Sequence, residues 1–236
     1  MPKVIIGIDN SDEKYTGTYV VLQRSGSMKF VLFLLLITMF FIGCSGPPNT
    51  ASYEIKVFPD QALEIAVKRA LQLESTEVLR NEYLQEIKKL DARNLGITSI
   101  SGLEDLTSLK YLYLSENEIK DIGPISSLTN LRYLYLSGNV IEDISPIQNL
   151  NGLRVLFLRD NQIKDITPIS SLENIGVIYL RNNSIQDISP LVENDSLTEV
   201  WIWLEGNPLS DISDISILPP LINSIIFGQQ NLEKSQ

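Results

Sequence analysis

One spacing governs the middle of this 236-residue chain: shifted by 22 positions, it superimposes on itself. Leu112, Leu134, Leu156 and Ile178 fall in one column, Leu114, Leu136, Leu158 and Leu180 in the next, and Asn117, Asn139, Asn161 and Asn183 in a third. Ile119, Ile141, Ile163 and Ile185 follow, then Ile122, Ile144, Ile166 and Ile188. The columns Pro124, Pro146, Pro168, Pro190 and Leu106, Leu128, Leu150, Leu172 complete the register. Units of this size cannot bury an apolar face alone, so they must stack on one another. Leucines two apart alternate with the period of a strand, so each unit contributes a short strand with its leucines pointing inward. The asparagine then turns the chain. Its amide can satisfy the backbone groups of the turn, coil after coil, where each unsatisfied buried polar group would cost roughly 1–3 kcal/mol. The proline column stiffens a return segment too short for a full helix, for which 3₁₀ turns are predicted. Parallel strands on one side and narrower returns on the other make a curved α/β solenoid.

These columns resemble LxxLxLxxNxI, the signature of leucine-rich repeats. The resemblance implies a leucine-rich-repeat solenoid over residues 90–211, with a curved parallel sheet on the concave side and 3₁₀ or irregular return segments. A degenerate first unit runs through Leu90, Ala92, Leu95 and Ile97, with Leu95 where the asparagine would stand. Residues 55–89 predict an N-terminal helical cap. Phe58-Pro59-Asp60 precedes Leu63, Ala66, Val67, Ala70 and Leu71 on one helical face, and Asp60 is a good N-cap. A second short helix is expected to hold Tyr83, Leu84 and Ile87. Such a cap resembles those of bacterial leucine-rich-repeat surface proteins, the internalin group among them, and the resemblance spans roughly residues 55–227. It is specific for fold and much less so for partner. Residues 212–236, with Pro219-Pro220 and the run Leu221 to Phe227, are expected to form a C-terminal cap and tail.

The N-terminal region reads as an address. After Met28 and Lys29, residues Phe30 to Ile42 form a 13-residue apolar run, short for a bilayer span of about 20 residues and right for a secretion signal. The run ends in Phe41-Ile42-Gly43-Cys44, which resembles the bacterial lipoprotein signal, although Phe41 stands where an aliphatic residue is usual. That resemblance implies cleavage before Cys44, acylation of its thiol and a mature terminus carrying two or three acyl chains; the competing reading is an uncleaved anchor or a buried helix. Residues 28–43 are then a signal peptide and 44–54 the lipidated cysteine with its linker. Residues 1–27, polar and mixed, do not fit in front of a signal; translation is expected to begin at Met28, leaving them a misassigned extension. The expected location is the bacterial cell envelope, lipid-anchored to the membrane and facing outward.

Side chains flanking the inward leucines must point onto the concave face. Between the two leucines stand Tyr113, Tyr135, Phe157, Tyr179 and, by the same count, Trp201; one step earlier stand Tyr111, Tyr133, Val155, Val177 and Glu199. One step later come Ser115, Ser137, Arg159 and Arg181. Exposed aromatics beside arginines are the residue types of binding hot spots, while the competing reading is cross-strand packing within the sheet. Asn207 follows Asn183 by 24 rather than 22, so the last unit carries two extra residues, expected near Val200–Leu204; Trp203 shares the face of Trp201 in either register. The column Asp121, Asp143, Asp165, Asp187 is read as turn capping rather than calcium binding.

The charge of −10 speaks against a nucleic-acid partner. The chain has no histidine and one cysteine, so it lacks the usual general base, thiolate metal clusters and internal disulfides. No Gly-rich phosphate loop is present. The sequence therefore predicts a monomeric recognition module for a protein or peptide ligand, without enzymatic activity, metal or cofactor. A structural or scaffolding envelope lipoprotein is the alternative.

Overall fold

The computed structural model describes residues 5–7, 52–192, 194, 196, 197, 200–210 and 224–226, within two compact units, Met1–Lys56 and Val57–Gln236. The signal-like run, Cys44 and most of 212–236 lie outside the described residues. In the first unit, β1 (Ile5–Gly7) pairs antiparallel with β2 (Ser52–Glu54).

The second unit begins with α1 (Gln61–Ala70). Asp60 is its N-cap: Oδ1 accepts from the amides of Ala62 and Leu63 at 3.0 and 3.1 Å. The buried stripe of α1 is Leu63, Ala66 and Val67, and it leaves the helix through Leu71, which packs on the core. Ala70, expected in that stripe, is exposed at the helix end. A single turn, α2 (Asn81–Leu84), follows; it holds Tyr83 and Leu84, whereas Ile87 is buried beyond it, on the run into the sheet.

Six parallel strands then succeed one another in chain order: β3 (Lys89–Asp91), β4 (Tyr111–Tyr113), β5 (Tyr133–Tyr135), β6 (Val155–Phe157), β7 (Val177–Tyr179) and β8 (Trp201–Trp203). A further strand, β9 (Ser224–Ile226), pairs parallel with β8. Leu90, Leu112, Leu134, Leu156, Ile178 and Ile202 are directly in register, all fully buried. The returns are 3₁₀ turns at Leu103–Asp105, Gly123–Ser127, Ser145–Ile147 and Thr167–Ser171, and one helical turn, α3 (Ser189–Val192). Pro124, Pro146 and Pro168 sit in the first turn of theirs, where the missing amide hydrogen has no partner to lose.

The asparagine column joins the coils. Asn139 Nδ2 donates to Leu136 O in its own coil and to Leu114 O in the preceding one, at 2.9 and 3.1 Å, while its Oδ1 accepts from Ile119 N at 3.0 Å. Asn117, Asn161, Asn183 and Asn207 repeat the pattern. The aspartates close the turns into the returns: Asp121, Asp143, Asp165 and Asp187 each accept from the amide two residues on, at 2.7–2.8 Å. For Asp165, the Thr167 hydroxyl and then the Thr167 amide hold the carboxyl below its usual range.

Candidate binding face

Because every strand has an inward central residue, its two neighbours stand on the other face of the sheet. The second neighbours form a continuous ladder, Tyr113, Tyr135, Phe157, Tyr179 and Trp203. Successive ring centroids are 4.6, 4.8, 4.2 and 4.0 Å apart, and three of these four pairs are stacked. Ring faces are thus spent on one another, and each rung is half-buried. Burial, then the neighbouring Tyr113 and Tyr133, push the Tyr135 phenol above its ordinary range.

The first neighbours form an outer column, Lys89, Tyr111, Tyr133, Val155, Val177 and Trp201. Tyr111 stacks on Tyr133 at 4.7 Å, and Tyr111 and Trp201 are the most open aromatic positions of the face at 37% and 44% exposure. The two tryptophans lie 6.1 Å apart, on one face as expected.

Their columns differ from the expectation, however. The strand register sets Trp203, not Trp201, against Tyr179, and sets Trp201 against Val177. The reason lies where the two extra residues fall. Leu197 N donates to Asn194 O just as Leu153 N donates to Leu150 O, so the 22-residue register survives to Leu197. The insertion therefore precedes Trp201 instead of interrupting β8, and it moves the whole strand by two.

Two positions beyond the strand ends the column reads Arg93, Ser115, Ser137, Arg159, Arg181 and Glu205. Its cations are paired: Arg93 with Asp91, Arg159 Nε with Asp160 Oδ2 at 2.6 Å, and Arg181 Nε with Glu205 Oε2 at 3.0 Å. Lys89 and Arg93 both lie 5.3 Å from the Tyr113 ring centroid, covering the open end of the ladder. The next position is a left-handed column that sequence reasoning missed: Asn94, Glu116, Gly138, Asp160, Asn182 and Gly206 all have φ between 53° and 75°. Its signal was present, since five of the six are Gly, Asn or Asp, the types that tolerate that conformation. At Gly138 a Cβ would stand 2.6 Å from the Glu116 carboxylate. Among the described residues, no three acidic, cysteine or histidine side chains converge as metal ligands would, and no helix is long and apolar enough to cross a membrane.

Residues 85–193 match the family described as Leucine Rich repeats (2 copies), in four overlapping windows, 85–127, 107–149, 129–174 and 151–193. The chain is similar to an internalin (inlF) of Listeria monocytogenes, with 32% identity and a TM-score of 0.60 over 72% of this chain and 55% of that one. It thus spans about half the length of that relative. Internalin C2 (inlC2) of the same organism matches at 29% identity and a TM-score of 0.46, over 72% of this chain and 94% of that one. No curated protein sequence matches the chain. Repeat period, parallel register, asparagine ladder and the family match over 85–193 converge: the chain has a leucine-rich-repeat fold, similar to that of an internalin.

Proposed function

We propose that the chain is a lipid-anchored, outward-facing protein of the bacterial cell envelope, without enzymatic activity, that binds a protein or peptide partner on the concave face of its solenoid. The observation that carries this reading is the double aromatic column, half-buried along its inner ladder and open at Tyr111 and Trp201 on the outer one. Side chains needed only for sheet packing have no reason to leave a tryptophan and a tyrosine in water on the same face, where such residues serve as contacts. The inner ladder supplies a rigid floor. The outer column, with Tyr111, Tyr133 and Trp201, supplies the contacts, and Arg159 and Arg181 stand across the inner ladder from them.

The two tryptophans separate packing from binding, and they are the only two in the chain. Trp203→Ala removes a ring stacked at 4.0 Å on Tyr179 and should cost about 1–3 kcal/mol in urea unfolding. Trp201→Ala should change stability by less than about 1 kcal/mol, as surface substitutions do, yet abolish affinity capture of the partner when combined with Tyr111→Ser. Capture undiminished by a folded Tyr111→Ser/Trp201→Ala variant would place the contact elsewhere. For the anchor, Cys44→Ser should release the protein from the membrane fraction; full retention would favour an uncleaved hydrophobic anchor.

A further inference from the structure

One residue ahead of the outer aromatic column runs a row at the same 22-residue spacing: Lys88, Lys110, Arg132 and Arg154. It is fixed in register by the backbone. Lys110 N and Tyr111 N both donate to Lys88 O, Arg132 N and Tyr133 N to Lys110 O, and Arg154 N and Val155 N to Arg132 O, all at 2.8–3.2 Å. The row therefore lines the rim where the chain runs into the strands. Arg132 folds back, its Nη1 donating to Leu131 O at 3.0 Å. Lys88, Lys110 and Arg154 are exposed and make no ion pair among the described residues. The opposite rim differs, since Arg93, Arg159 and Arg181 are each neutralised by a carboxylate. On a chain of formal charge −10, an unneutralised basic rim beside an aromatic strip is a local inversion of sign. The outer column beside it also changes height, falling from Tyr133 to Val155 and Val177 and rising again at Trp201.

We infer that the partner is an acidic polypeptide segment: its carboxylates meet Lys88, Lys110 and Arg154, and a bulky apolar side chain sits over Val155 and Val177 between Tyr133 and Trp201. The inference rests on the proposed role of the concave face and names the chemistry that face selects. Complementary charge guides encounter and register, while the apolar step provides the buried anchor. The step is what favours a polypeptide over a polysaccharide or a nucleic acid. Those polyanions need a long unbroken basic track and gain nothing from a valine floor.

The test is selection from a library of short random peptides on the full chain held in detergent micelles. Two variants run in parallel, Lys88→Glu/Lys110→Glu/Arg154→Glu and Tyr133→Ser/Trp201→Ser, each with its circular dichroism matched to the wild type. The wild type should enrich peptides of net negative charge that carry Phe, Leu or Trp. A synthetic copy of the best should lose about tenfold or more in affinity on the rim variant and weaken as salt is raised. Enriched peptides that are neutral or basic overturn the inference; if they still fail on Tyr133→Ser/Trp201→Ser, concave-face binding itself stands. Peptides indifferent to both variants, or no enrichment at all, overturn both. Heparin fragments form a separate arm: binding of these through the rim, with no acidic peptide selected, would replace the polypeptide by a sulfated polysaccharide.

Discussion

Asn139 braces two coils with a single amide. It serves carbonyls of both coils and one amide of the preceding coil, all buried, so no other residue of its size replaces it. An aspartate could accept from Ile119 N but could not donate to Leu114 O and Leu136 O; a leucine could do neither. Asn139→Ala should therefore cost at least about 3 kcal/mol, several times a typical net hydrogen bond of about 1 kcal/mol, because the groups left behind stay dry. Urea unfolding monitored by circular dichroism measures it, and a loss under about 1 kcal/mol would mean that water reaches those groups. This role is legible in the sequence itself, because only a side chain with both donor and acceptor, repeated at one position per coil, suits a buried turn. The left-handed residue just before it was legible in principle and was missed. Glu116 hides the pattern among Asn94, Gly138, Asp160, Asn182 and Gly206. The rim Lys88, Lys110, Arg132, Arg154 was missed for another reason: a period search guided by apolar residues passes over an exposed basic column, and only the structure shows which of its members are paired.

Among elements, one carboxylate adds hydrogen bonds to the apolar joint between α1 and the first repeat. Asp60 Oδ1 caps the helix, and Oδ2 accepts from Thr98 N at 3.0 Å and Ser99 N at 3.4 Å. Its burial pulls the pKa upward, but the amides of Thr98, Leu63, Ser99 and Ala62 together outweigh that, and the carboxyl titrates below its ordinary range. A folded-state pKa below the unfolded one means stabilisation that is complete above the unfolded value, about pH 4, and is lost as pH falls through the folded one. Asp60→Ala should thus lower stability by about 1–2 kcal/mol at neutral pH and by much less near pH 2, so that the two melting curves approach each other in acid. A difference that stayed constant from pH 7 to about pH 2 would assign the loss to something other than the ionised carboxylate. The capping half of this was readable from Phe58-Pro59-Asp60; the bond to Thr98, 38 residues away, was not, because local sequence carries no mark of it. The register of Trp201 and Trp203 failed for a similar reason. The spacing of 24 announced two extra residues, but their position depended on whether Leu197 still filled the column of Leu153, and that is decided by packing.

At the scale of the molecule, each coil touches only its neighbours, so stability is carried as a chain of interfaces and not as one centre. Leu134 and Ile202 hold the same position in the sheet, both fully buried, yet one lies mid-array and the other in β8, towards its C-terminal side. Truncating either to alanine removes a similar apolar contact, about 2–5 kcal/mol by the usual cavity cost, but the consequences should spread differently. At β5, the loss weakens both interfaces through which β3 and β4 communicate with β6 and β7, so amide-exchange protection should fall on both sides of the substitution. At β8, opening can be confined to the end of the array, and amides of β4, β5 and β6 should keep wild-type protection while those of β7 and β8 lose theirs. Hydrogen exchange read coil by coil distinguishes the two outcomes. Equal losses everywhere in both variants would mean that the solenoid opens as one block, and that the two ends of the sheet cannot loosen independently of each other.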